Sequence, residues 1–129
     1  MMTSPASNFS PSAPAGSART RIAAIQMVSG PQVDANLAVA AELIAEAARA
    51  GAQVVALPEY FPLLAADEQA KVRIREHPGA GPLQRFLADA ARRHCVWLVG
   101  GTVPLLADAA DKARNSTLVF DPEGRQVGR

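Results

Sequence analysis

Cysteine is almost missing from these 129 residues, and Cys95 is the single one. One thiol cannot close an internal disulfide, and a zinc site built from several thiolates is excluded with it. A reducing cytoplasm is therefore the expected setting. Histidine is nearly as scarce. His77 and His94 stand at no ligand-like spacing from each other or from carboxylates, so no metal site is expected. The longest apolar runs, such as Val54 to Leu57 and Val96 to Val99, fall far below the roughly 18 residues that cross a bilayer. Neither sign of charge prevails: 13 basic and 12 acidic residues leave a formal charge of +1. No broad field exists to draw nucleic acid or an acidic membrane surface, and neither is expected as a partner. The glycine-rich dinucleotide loop, the P-loop and the G-x-S-x-G nucleophile elbow are absent too, leaving Gly100-Gly101 as a weak phosphate-cradle signal.

What remains is 49% hydrophobic and 19% charged, the composition of one ordinary domain with a real core. Residues 1–20 are rich in Ser, Pro and Ala, with Arg19 as their one charge. They lack the apolar centre of a secretory signal and the amphipathic, arginine-rich pattern of a transit peptide, so they read as a disordered tail. Ile22 to Val28, closed by Ser29-Gly30-Pro31, reads as a buried strand. Asp34 is a candidate cap for a helix with Leu37, Ala40, Ala41, Ile44, Ala47 and Ala48 along one stripe, ending before Gly51. Gln53 to Leu57, bounded by Pro58, reads as a second strand. The order strand, helix, strand implies a right-handed parallel crossover.

A short helix is predicted around Asp67 to Glu76, broken at His77-Pro78-Gly79. Pro82 suits the first turn of another helix, whose stripe is Leu83, Phe86, Leu87, Ala90 and Ala91. Cys95 to Val99 reads as a third strand and Ser116 to Phe120 as a fourth, with a polar loop between them. Asp121-Pro122-Glu123-Gly124 is a turn signal, and Arg125 to Val127 begins a return strand. The class is therefore α/β. A sheet that stops one strand into a hairpin leaves an unpaired edge, and a chain cut short at its C-terminus is expected on that ground.

In open α/β sheets, ligands gather beyond the carboxyl ends of parallel strands. Glu59 stands there, after Pro58 and a strand whose last four residues, Val54 to Leu57, are apolar, and before Tyr60 and Phe61. Partial desolvation by those aromatics would suit it to general-base duty, although a solvated loop glutamate would occupy the same position.

Separated segments resemble one family in order and spacing. Ile22 to Met27 is similar to the opening strand of nitrilase-like carbon-nitrogen hydrolases. The helix beginning near Asn36-Leu37 leads through Gly51-Ala52 to Leu57-Pro58-Glu59, which resembles the family's glutamate motif. Val99-Gly100-Gly101-Thr102, Asn115-Ser116-Thr117 and Asp121 to Gly124 follow. The resemblance implies that residues 21–129 are the N-terminal portion of an alpha-beta-beta-alpha sandwich of roughly twice this length. It also implies hydrolysis of a small amide without a cofactor. A cysteine thiolate would attack the amide carbon, a glutamate would move the protons, and a lysine would stabilise the tetrahedral intermediate. Of these three groups only the glutamate carries over, to Glu59; the lysine is expected just beyond Arg129. The fragment alone should be inactive. The wording around Gln26-Met27 and Leu57-Pro58-Glu59 looks closer to amidases acting on omega-amides or deaminated glutathione than to true nitrilases. Self-association is expected of the complete protein.

Cys95 beside His94 is superficially a nucleophile-base pair. In parallel neighbours, however, Cys95 opens one strand while Glu59 follows the end of another, a separation of roughly 15 Å at about 3.3 Å per residue. A buried structural cysteine is the expectation. Lys112 lacks the family's surrounding pattern and reads as a solvated loop charge. Two other readings compete: a non-catalytic α/β module binding a partner through its open edge, and a nucleotide-binding domain.

Overall fold

The computed structural model describes residues 19–129, so the expected tail lies, up to residue 18, outside the described residues. Strand β1 (Ile22–Ala24) leads to helix α1 (Val33–Arg49), strand β2 (Val54–Ala56), the single turn α2 (Ala70–Arg73), helix α3 (Pro82–His94) and strand β3 (Trp97–Val99). Then come β4 (Val103–Leu106), β5 (Ala113–Ser116), β6 (Val119–Phe120) and β7 (Gln126–Gly128). A five-stranded sheet has the order β1-β2-β3-β6-β7, while β4 and β5 form a separate two-stranded sheet. Pairings β1–β2 and β2–β3 are parallel; β3–β6 and β6–β7 are antiparallel.

Because β1, β2 and β3 are laid down in one direction, two crossovers of the same hand bring α1 and α3 onto one face of the sheet, where they touch each other. Ala23, Val55 and Leu98 share a register row beneath them, and Val55 and Leu98 are fully buried among Ala40, Ile44, Leu87 and Ala91. Enclosing each large aliphatic side chain of this kind contributes about 1.5–3 kcal/mol. The neighbouring row, Ile22, Val54 and Trp97, belongs to the other face, and Ile22 is 67% exposed there. The first strand is thus an edge strand with one open face, not the buried strand predicted from its continuous apolar run.

Helix α1 carries the expected stripe, with Ala40, Ile44 and Ala47 buried. Its cap differs: Gln32 holds the N-cap position without a side-chain hydrogen bond, and Asp34 lies inside the first turn, where its charge still favours the helix dipole. Asn36, on the same helix, is buried and ties two loops together. Its Oδ1 accepts from the Gly30 N–H at 2.9 Å, and its Nδ2 donates to the carbonyls of Gly30 (2.8 Å) and Pro62 (3.0 Å).

The predicted fourth strand is broken. Ser116 pairs with Val103 in the small sheet, whereas Val119 pairs with Val99 in the large one, and buried Leu118 marks the crossing between them. The expected polar loop after β3 is therefore a hairpin. Its second strand, Ala-Arg-Asn-Ser, has neither alternation nor β-branched residues to announce it.

The turn at 121–124 forms as predicted, with the Gly124 N–H donating to the Asp121 carbonyl at 2.9 Å. Burial pushes the Asp121 carboxyl pKa up, but the Arg125 N–H and guanidinium and the Glu123 N–H outweigh burial and hold it below its ordinary 3.8. A depressed folded value stabilises the fold above the unfolded pKa and is lost as pH falls through the folded one. The β6–β7 hairpin should accordingly loosen below about pH 4. Asp121→Asn should remove that part of the acid dependence, as read from thermal midpoints across an acid titration; identical slopes in both proteins would refute the assignment.

Candidate active site

Leu57 continues past β2, donating its N–H to the Val99 carbonyl at 2.9 Å, and is buried. Two residues after Glu59, Phe61 is fully buried and stacks on Phe86 with ring centroids 6.3 Å apart. Glu59 is thus the exposed crest of a loop anchored by apolar side chains on both sides. Tyr60 adopts a left-handed conformation, φ 56°, which costs about 1–3 kcal/mol and needs surroundings that hold it. Its N–H donates to Thr102 Oγ1 at 2.9 Å, and its carbonyl accepts from the Leu63 N–H at 3.2 Å.

The small sheet clasps this crest. Gly101 (φ +52°) comes so close that a Cβ there would stand 2.1 Å from the Pro58 carbonyl oxygen, so only glycine fits. Gly100 would place a Cβ 2.6 Å from Leu87 Cδ1. Both glycines are accounted for by contact with the chain itself, which leaves the phosphate-cradle signal without support. In β5, Asn115 Nδ2 donates to Glu59 Oε1 at 2.9 Å across 56 residues of sequence.

Glu59 itself is exposed, and the expected aromatic desolvation is not met by the described residues. Phe61 is committed to the core, while the Tyr60 ring carries the Lys71 ammonium 3.8 Å from its centroid. Alongside lies an open cleft of about 420 Å³ whose walls include Tyr60, Lys71, Val72, Lys112 and Asn115. Lys112 is an exposed loop charge, as predicted, but it faces this cleft.

Cys95 stands apart. Trp97 pairs with Val54 and Val99 with Ala56, so Cys95 lies before the starting edge of the sheet and Glu59 beyond its finishing edge. The two residues lie at opposite edges of the sheet, as expected, but the expected burial of Cys95 is not found. Cys95 is the left-handed C-cap of α3 (φ 52°), outside the strand and exposed. His94, the last residue of that helix, is its chain neighbour only. Among the described residues, no three His, Cys, Asp or Glu side chains gather as metal ligands, and no helix is long and apolar enough to cross a membrane.

An α/β sheet with a glutamate on the loop after a central parallel strand is the geometry expected of a carbon-nitrogen hydrolase, and residues 21–129 match that family. The chain belongs to the carbon-nitrogen hydrolase family. It is 37% identical over 108 residues to a deaminated glutathione amidase of Synechocystis sp. (strain PCC 6803 / GT-S), covering 83% of this chain and 39% of that protein. Against an omega-amidase of Xenopus laevis it is 33% identical over 107 residues, 83% of this chain and 37% of the relative. The chain thus spans under two fifths of the length of these relatives.

Among solved structures, Saccharomyces cerevisiae Nit3, a member of branch 10 of the nitrilase superfamily, superimposes with a TM-score of 0.66 at 28% identity, covering 76% of this chain and 38% of that one. An amidase from Nesterenkonia sp. gives 0.68 at 20% identity, over 84% and 41%, a likeness of fold alone. The α/β reading and the nitrilase-like architecture stand.

Proposed function

We propose that residues 21–129 are the first part of an amidase domain that hydrolyses a small amide, and that Glu59 moves the protons. The observation that carries this reading is the placement of Glu59: beyond the carboxyl edge of parallel strands, braced from both sides and exposed next to a cleft. The names of the amidase relatives support it. Glu59 would take the thiol proton as sulfur bonds to the amide carbon, then return it to the nitrogen as the C–N bond breaks and ammonia leaves. In the second half, Glu59 would take a proton from water as its oxygen bonds to the thioester carbon, then return it to sulfur as the C–S bond breaks, releasing the carboxylic acid and restoring the thiol.

Cys95 is at the wrong edge of the sheet to be that thiol. The reading therefore assigns the nucleophilic cysteine and the lysine to chain following Arg129, and includes a cytoplasmic setting and self-association of the complete protein. The test is to express the complete reading frame and measure ammonia release from omega-amides of dicarboxylic acids and from deaminated glutathione. Release that thiol alkylation abolishes, with none from residues 1–129 alone, is the expected result. A frame that stops at Arg129 and yields an inert protein would overturn the enzyme in favour of the partner-binding module.

A further inference from the structure

We propose that Asn115 is a positioning residue for Glu59, one that holds a single carboxylate oxygen and leaves the other to carry the proton; this rests on the acid-base reading of Glu59. Asparagine is depleted in strands because its short amide competes with the backbone ladder. Asn115 nevertheless sits inside β5, paired with Pro104, and is exposed. Core packing and turn formation therefore give it no reason to be there. Its side-chain hydrogen bond goes to Glu59 Oε1 at 2.9 Å, and Glu59 has no ion pair among the described residues.

The donor's chemistry suits the task. An exposed carboxylate samples several rotamers, and one directional hydrogen bond selects among them. A lysine or arginine in the same place would bind the ionised form strongly and oppose proton uptake, whereas a neutral amide orients the group with less bias. Asn115 does not titrate, so it cannot compete for the proton. The hairpin makes the hold rigid. Thr102, at the head of β4, accepts the Tyr60 N–H while Asn115 in β5 takes the Glu59 carboxylate, so the two strands of one small sheet, at the same end of it, fix consecutive residues. The other charged groups facing this corner are Lys71 on α2, Glu68 before it, and Asp111 and Lys112 before β5.

The test compares Asn115→Leu and Asn115→Asp in the protein expressed from its complete reading frame, reading kcat, KM, the pH profile and the thermal midpoint. Asn115→Leu should lower kcat about 10- to 100-fold, the worth of one hydrogen bond to a charged group, with KM within about twofold. Asn115→Asp keeps the shape but sets a second carboxylate against Glu59. Its activity relative to Asn115→Leu should rise as pH falls and the pair shares a proton that restores the donor. A structural asparagine would give no such pH-dependent ratio. A flat ratio, or losses explained by lowered thermal midpoints, would overturn the role. Glu59→Gln run alongside separates the two failures. If it leaves turnover intact, the base assignment falls and Asn115 with it; if it abolishes turnover while both Asn115 variants work normally, only the positioning role falls.

Discussion

Glu59→Gln in the complete protein is expected to lower kcat/KM by a factor of about 100 to 10,000, the usual worth of a positioned general acid-base. That corresponds to about 3–5 kcal/mol of transition-state stabilisation. The fold should be indifferent, because the side chain is exposed and a glutamine Oε1 can accept the same hydrogen bond from Asn115. Stability should therefore change by no more than about 0.5 kcal/mol. Ammonia release and thermal denaturation measured on one preparation check both halves. Turnover above a tenth of the parent value would sink the assignment of Glu59, and a large loss of stability would show that the residue serves the fold.

The largest effect on stability is expected at a different glutamate. Glu76 is buried and has no ion-pair partner among the described residues, and its carboxylate reaches the start of α3. Its Oε1 accepts the Leu83 N–H at 2.5 Å, and its Oε2 accepts the Gln84 N–H at 3.2 Å and Gln84 Nε2 at 2.9 Å. The carboxylate serves as a remote cap, satisfying N–H groups that the first helical turn leaves without partners and meeting the positive end of the helix. Its backbone also bridges to β4, through its N–H to the Pro104 carbonyl and its own carbonyl to the Leu106 N–H. Glu76→Ala would strand those buried donors, at about 1–3 kcal/mol for each group left unsatisfied. A net loss of about 3 kcal/mol, equal to a fall of roughly 10–20 °C in thermal midpoint, is the expected outcome. A midpoint within about 2 °C of the parent would show that water replaces the carboxylate freely.

These two glutamates mark how far sequence reading reaches. The place of Glu59 past a strand end was legible because it follows from local pattern, a short apolar strand closed by a proline; its proposed role came from the resemblance of Leu57-Pro58-Glu59 to a family motif. The place of Glu76 was not legible. The predicted short helix ran through it, whereas the described turn ends at Arg73 and Glu76 leaves to pair with β4. A carboxylate seven residues before the N–H it caps matches no capping-box spacing.

The sequence by itself determined the elements whose signals are local: the stripes of α1 and α3, strand β2, the turn at Asp121 to Gly124, and the loop carrying Glu59. The tertiary structure decided everything that depends on residues far apart along the chain. Asn115 reaches Glu59 across 56 residues, and Gly101 is required by the carbonyl of Pro58. The split of residues 116–120 between two sheets, and the left-handed cap that exposes Cys95, belong to the same set. Periodicity reports which face of an element is apolar, but it carries no record of which distant backbone or side chain will meet that face. Those pairings are set only when the helices close over the sheet and the hairpin folds against the loop.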